Sequence, residues 1–252
     1  MTDYDMAGYA HRFVNARALG PELRQVWTDA LVRAGQASAR SKVLDLGAGA
    51  GRFVPLLREA WQAERVIAID RSMAMLRQMV SHEADVAVRA DMAALPLRSD
   101  SFDGCLCSMV LHYSSDPVAV CREVHRVLRP RGVLCVRTGA QETIPSFSFL
   151  RYFPAAWRAE HSAMPDRAEV VAWLRCAGFT DVVVEKVEAT PVRGRWRYCR
   201  KVLSRGFPSL QLVPTLEFLV GAAGMIASTA VLALLRRPIS PEETLLVTGI
   251  AP

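Results

Sequence analysis

From Lys42 onward, short unbroken apolar runs alternate with longer stretches in which apolar residues return every three or four positions. Runs of that length without polar relief suit strands buried on both faces, and the helical periodicity between them supplies the covering layers. The pattern therefore predicts βαβ units around a parallel sheet. Strands are expected at 43–46, 66–69, 86–89, 102–108 and 133–137, with helices near 52–61, 72–81 and 117–128, and Ser72 as an N-cap. The stretch 129–132, Arg-Pro-Arg-Gly, is expected to stop the last of these helices and turn the chain into the next strand, since proline cannot continue a helix and glycine accepts the turn. A helix at 167–177 ending at Gly178 and strands at 181–187 and 244–250 complete the pattern.

The last two strands are separated by a long insertion with two unusual pieces. Residues 193–205 are basic and interleaved with Trp196 and Tyr198, a composition that reads as a solvated helix face before a nucleic-acid patch. Residues 218–235 carry no charge and include Gly221, Gly224, Ser228 and Thr229. That length sits at the short end of what crosses a ~30 Å hydrocarbon core, and basic residues on both flanks give no orientation. A single span would also strand the following β-segment away from its sheet. The run is therefore expected to be a buried lid or oligomer helix of a soluble protein, because a helix apolar all round wants protein on every side. Integral membrane insertion is not expected, and a homodimer would use residues 191–240.

Composition narrows the class. With 252 residues, half of them hydrophobic, one large core and one domain are expected: an N-terminal helical cap at 1–41, a core at 42–190, the lid at 191–240 and a last strand at 241–252. Six cysteines without a C-x-x-C pair signal neither a metal site nor a disulfide framework, and they suit a reduced, cytoplasmic protein. The first residues lack the pattern of an export signal. A net charge of +6 permits nucleic-acid or anionic-surface binding without requiring it, and a nucleic-acid partner is not expected.

The candidate chemistry begins at "VLDLGAGAGRF", where Gly47, Gly49 and Gly51 follow an apolar strand. A dinucleotide fingerprint needs glycine at the sixth place, which Arg52 occupies, and a P-loop needs G-K-[ST], which is missing. A glycine loop without a phosphate task still admits a compact zwitterion, whose cationic amino group Asp45 would help organise. Asp70 closes the next strand as a carboxylate placed for both hydroxyls of a ribose. Asp91 and Met92 follow the third strand, where they would meet an adenine amine and an adenine face. Amino acid, ribose and adenine together describe S-adenosylmethionine.

With "VIAIDRSMAML", "ADMAALPLRSDSFDGCLCSMVLHY" and "EVHRVLRPRGVLCVRT" following in order, the sequence resembles the class I S-adenosylmethionine-dependent methyltransferases, in the small-molecule branch that includes ubiquinone/menaquinone C-methyltransferases. The resemblance covers 43–187 well and the insertion poorly. It implies an α/β fold, a doubly wound, mostly parallel seven-stranded sheet whose last strand inserts antiparallel. It also implies a cofactor site of Asp45, Gly47, Ala48, Gly49, Gly51, Asp70, Arg71, Met75, Asp91, Met92 and Ser108. His112, just past the fourth strand, is the first candidate general base, and His11 the second, on a segment that in similar proteins closes over the cofactor. Tyr9, Tyr113, Arg137 and Phe147 are candidate walls for a small apolar or aromatic acceptor, while Tyr4 belongs with Tyr9 and His11. An RNA methyltransferase or RNA-binding protein, and a non-methylating S-adenosylmethionine-binding cyclase or binding protein, stand as alternatives.

Overall fold

The structure, a computed structural model, describes residues 19–35, 40–79, 84–189, 195–205, 207–237 and 240–252. Tyr4, Tyr9 and His11 lie outside the described residues. The strands are β1 (Lys42–Leu46), β2 (Arg65–Asp70), β3 (Val86–Arg89), β4 (Phe102–Ser108), β5 (Leu128–Thr138), β6 (Thr180–Ala189) and β7 (Glu242–Ile250). They form one sheet in the order β3-β2-β1-β4-β5-β7-β6. The first five pair in parallel, and β7 runs antiparallel between β5 and β6. This is the sheet expected from the sequence.

The strand order turns back on itself between β1 and β4. In open parallel sheets such a reversal leaves a crevice beyond the carboxyl ends of the two strands, because the connecting helices depart to opposite faces. On one face of the sheet α1 (Pro21–Ala34) and α2 (Val54–Trp61) bury Trp27, Leu31, Leu57 and Trp61. The Trp61 indole N–H donates to the Leu31 carbonyl at 2.8 Å and so ties the two helices together. The other face is covered by α4 (Pro117–Val127) and α6 (Arg167–Cys176), through Val120, Val124, Val170 and Leu174. Asp116 caps α4, and Asp166 with Glu169 forms a capping box on α6.

Three expectations need correction or refinement. The helix expected at 72–81 is a single turn, α3 (Met73–Leu76), capped by Ser72, whose Oγ accepts the Met75 N–H at 3.2 Å. Arg77 N–H still donates to Met73 O four residues back, but Gln78 and Met79 N–H donate three residues back, to Met75 O and Leu76 O at 3.0 and 3.1 Å, so the helix tightens and ends. The stretch 129–132 does end the helix and turn the chain, but it does so as a bulge within β5: Leu128 pairs with Phe102 and Val133 with Gly104, and Arg131 between them holds a φ of 66°. Leu128 is already extended, and β5 runs through these residues, with Arg131 N–H donating to Ala251 O at 2.8 Å and Ala251 N–H to Gly132 O at 2.9 Å.

The third correction concerns the insertion, which folds into α7 (Arg195–Leu203), α8 (Pro208–Gln211) and α9 (Thr215–Leu234). With residues 141–152 and α5 (Pro154–Ala163) it builds a separate core of Phe149, Phe153, Tyr198, Val202, Phe207, Leu210 and Met225. Helix α9 was expected to be enclosed on every side, yet it meets this core along one stripe, Gly221, Met225 and Thr229. A Cβ on Gly221 would collide with the Tyr152 carbonyl and the Phe153 ring, so glycine permits the close crossing. The rest of its apolar surface faces outward.

Candidate active site

The loop after β1 is shaped by its glycines. Gly47, Gly49 and Gly51 all have positive φ, at 69°, 58° and 76°, which side-chain-bearing residues adopt at a cost. A Cβ on Gly47 would stand 2.5 Å from Val110, so that position is closed by sterics as well as by φ. Gly47 and Ala48 donate to the Ile69 carbonyl at 2.8 and 3.0 Å, which locks the loop onto the end of β2. On that end Asp70 accepts the Gly49 N–H through Oδ2 and the Ser72 N–H through Oδ1, each at 2.8 Å. The Arg71 N–H is a third backbone donor, and a carboxylate offers about four lone-pair sites, so Asp70 keeps accepting capacity for a ligand. Burial raises the Asp70 pKa, and the N–H groups of Ser72 and Gly49 oppose the rise.

Asp45 lies beneath the loop, fully buried, and its Oδ2 has no hydrogen-bond partner among the described residues. Burial lifts its carboxyl to about 7, with Arg52 pulling it down and Asp70 adding to the rise. A buried carboxylate oxygen without a donor is costly unless something supplies one. Met75 is buried with its methyl 3.0 Å from where a Gly49 Cβ would stand, so Gly49 leaves room for Met75 against the loop. Arg71 is exposed just past β2, and its carbonyl accepts from the Arg89 guanidinium at 3.0 Å. Beyond β3, Asp91 is exposed and turns the chain by accepting the Ala93 N–H at 2.9 Å, while Met92 packs on the sheet core.

Past β4 the chain enters a cleft whose empty space, open solvent at its mouth included, comes to roughly 1040 Å³. His112, Tyr113, Arg137 and Phe147, four residues singled out by sequence, line it together. The His112 and Tyr113 rings stand 4.2 Å apart. The Arg137 guanidinium lies 4.4 Å from the Trp27 ring and makes a long 3.4 Å hydrogen bond to Ser108 Oγ, so Ser108 stands at the junction of crevice and cleft. Sequence reasoning missed Leu23 and Trp27 from α1, Met109, and Lys201, Phe207 and Glu242 from the far end of the chain. Only Met109 carries a local mark, a φ of 55° that non-glycine residues rarely hold, and φ is invisible in sequence. Glu242 accepts the hydroxyl of buried Tyr198 at 2.9 Å, and burial raises the Tyr198 pKa further above its usual range.

A doubly wound sheet that carries a glycine loop, a strand-end carboxylate and an adjoining apolar cleft at its strand-order reversal has the architecture of a ligand-binding α/β protein. Residues 44–136 match the family model described as a methyltransferase domain. The chain is 30% identical over 173 residues to 2-methyl-6-phytyl-1,4-hydroquinone methyltransferase 2, chloroplastic, of Oryza sativa subsp. japonica, covering 68% of this chain and 48% of the relative. It is 30% identical over 188 residues to demethylmenaquinone methyltransferase of Clavibacter sepedonicus, covering 63% of this chain and 73% of the relative. The chain thus spans about half the length of the rice relative. A solved structure from Anabaena variabilis, described as a methyltransferase from an antibiotic biosynthesis pathway, superposes with a TM-score of 0.73 at 18% identity, over 93% of this chain and 98% of that one. The chain belongs to the class I S-adenosylmethionine-dependent methyltransferases. S-adenosylmethionine is the methyl donor of that family, and the site fits it: among the described residues the buried Asp45 Oδ2 lacks a donor, which a cationic amino group would supply, and the Asp70 carboxylate stands beside the glycine loop.

Proposed function

We propose that the protein methylates a small apolar or aromatic acceptor, of the quinone or secondary-metabolite type, in the cleft beyond β4 and β5. The observation that carries this reading is the cleft itself, walled by Trp27, Met109, Phe147, Phe149, Leu150 and Phe207 around a few polar groups. The names of the two curated relatives, a hydroquinone and a menaquinone methyltransferase, support an aromatic ring as the acceptor.

When bound, S-adenosylmethionine supplies an electrophilic methyl on a sulfonium. In this reading Asp45 accepts from the cofactor's amino group, Asp70 takes the ribose hydroxyls while it latches Gly49, and Asp91 with Met92 borders the adenine. Gly47, Ala48, Gly49, Gly51, Arg71, Met75 and Ser108 complete that crevice. Orientation of the acceptor is the chain's main contribution, since an in-line displacement needs no covalent enzyme intermediate. His112, on the acceptor side, takes the proton of a hydroxyl acceptor, with Tyr113, Arg137 and Phe147 holding the ring. His11 and Tyr9 remain candidates on the N-terminal segment. A reducing cytoplasmic setting belongs to the same proposal, on the cysteine pattern of the sequence.

The test is release of S-adenosylhomocysteine in the presence of phenols, hydroquinones and acyl acceptors of graded size. Acceptor-dependent release with aromatic compounds is expected. Tight cofactor binding without release for any acceptor would overturn methyl transfer in favour of a binding protein or cyclase.

A further inference from the structure

The outward half of α9 is the most unusual surface of the molecule. At 100° per residue, Leu216, Leu219, Val220, Ala223, Gly224, Ile226, Ala227, Val231, Ala233 and Leu234 fall on one contiguous arc, and all are exposed. Leu216 is 76% exposed, Val220 67% and Leu234 85%, and that arc carries no charge. An ordinary surface helix turns its polar residues outward, whereas α9 turns out a band of hydrocarbon about 30 Å long. A band of this size on a soluble chain marks a surface that something covers.

The charge around it says what. Residues 191–240 hold eight of the chain's 31 basic residues and one of its 25 acidic ones, a net of +7 that leaves −1 for everything else. Arg236 and Arg237 stand exposed just past the end of α9. The Arg205 guanidinium lies 3.9 Å above the Phe218 ring near its start. Helix α7, with exposed Arg197 and Arg200, packs alongside α9, where the Cys199 thiol and the Thr229 hydroxyl interact. The sole acid, Glu217, is committed inward, its Oε1 accepting the Ala155 N–H at 2.7 Å.

We propose that this apolar face, with the basic residues of its segment, Arg236 and Arg237 at its end foremost among them, docks the protein on an anionic lipid surface, with α9 lying in the plane of the membrane. A second copy is the less suitable occupant, because pairing two such faces would press two segments of +7 together. A spanning helix is also unsuited, because Gly221, Met225 and Thr229 hold α9 against the protein and β7 returns the chain to the sheet beside β5 and β6. An anionic interface satisfies both features at once, burying the band and attracting the basic residues of its segment. This inference rests on the surface alone and not on the acceptor's identity.

The experiment is co-sedimentation of the 252-residue chain with vesicles of phosphatidylcholine, alone or with about one-third phosphatidylglycerol. The chain is expected to partition onto the anionic vesicles and to be released as salt rises to about 0.5 M, where screening is strong. The double variant Leu219→Glu with Val220→Glu changes only exposed positions. It should lose about tenfold or more of the partitioning, and Arg236→Gln with Arg237→Gln should lose less. Retention of the S-adenosylhomocysteine-induced thermal shift in both variants shows that they are folded. Failure of the wild type to bind anionic vesicles overturns the proposal. So does equal, salt-independent binding to neutral ones, a dimer that the glutamate variant dissociates in place of vesicle binding, or RNA capture in place of vesicle binding.

Discussion

The proposed cofactor crevice takes its groups from three successive strand ends, at residues 45–51, 70–75 and 91–92, while the proposed acceptor cleft gathers side chains from Leu19 to Thr244. The crevice works through backbone N–H groups and carboxylates whose positions follow from glycine conformation and strand register. The cleft works through the shape that a second core of aromatic side chains leaves open. The contrast explains how one fold can keep a single cofactor while its acceptors vary. Crevice substitutions should act on cofactor affinity or loop stability, and cleft substitutions on turnover or acceptor affinity.

The largest expected effect is on turnover. His112→Asn should lower kcat by about 10²- to 10⁴-fold for a hydroxyl acceptor if the imidazole takes its proton, with S-adenosylhomocysteine affinity unchanged. Steady-state kinetics beside calorimetry checks this, and an unchanged kcat would reduce His112 to a wall of the cleft. Next is Gly47→Ala, where positive φ and the approach to Val110 combine. It should cost roughly 2 to 5 kcal/mol of stability by urea unfolding and abolish cofactor binding. Stability within the error of the wild type would mean that the loop relaxes freely.

The Asp45 prediction concerns pH. Its folded-state pKa of about 7 exceeds the ordinary value of 3.8, so the folded protein holds a proton that the unfolded chain has lost. Its contribution to stability is therefore full at low pH, declines between about pH 4 and pH 7, and is flat above. Cofactor binding has the opposite sign, because a cationic amino group favours the carboxylate. Affinity should climb as pH rises toward 7, with a proton released to the buffer. Asp45→Asn should flatten both profiles, and a profile unchanged by the substitution would place the titration elsewhere. The smallest effect belongs to Phe147→Ala, which should raise the acceptor KM by about 3- to 10-fold through lost apolar contact and leave cofactor affinity alone. A comparable change in cofactor affinity would show that crevice and cleft are not separable.

Legibility in sequence followed the same division. The sheet and the glycine loop were readable because buried strands, positive-φ glycines and strand-end carboxylates leave marks within a few residues of one another. His112 and Tyr113 were readable only because β4 delivers them to the strand-order reversal. Trp27, Lys201, Phe207 and Glu242 were not, since they reach the cleft through tertiary packing across more than two hundred positions. Helix α9 shows a different limit. Its apolar run was plain, but composition cannot say which arc of a uniformly apolar helix meets protein, and Gly221 fixes that only through its contact with Tyr152 and Phe153.

The central claim is that the loop of Gly47 to Gly51, latched by Asp70, is an S-adenosylmethionine crevice. The most direct measurement compares thermal unfolding with S-adenosylhomocysteine and with NADH, in the wild type and in Asp70→Ala. Only a ligand that binds the folded state raises the midpoint, and the variant should lose roughly 1 to 3 kcal/mol of binding through its missing ribose hydrogen bonds and loosened Gly49. A clear shift with S-adenosylhomocysteine, none with NADH, and a much smaller shift in Asp70→Ala is the expected result. Equal stabilisation by NADH, or a variant that responds like the wild type, would contradict it.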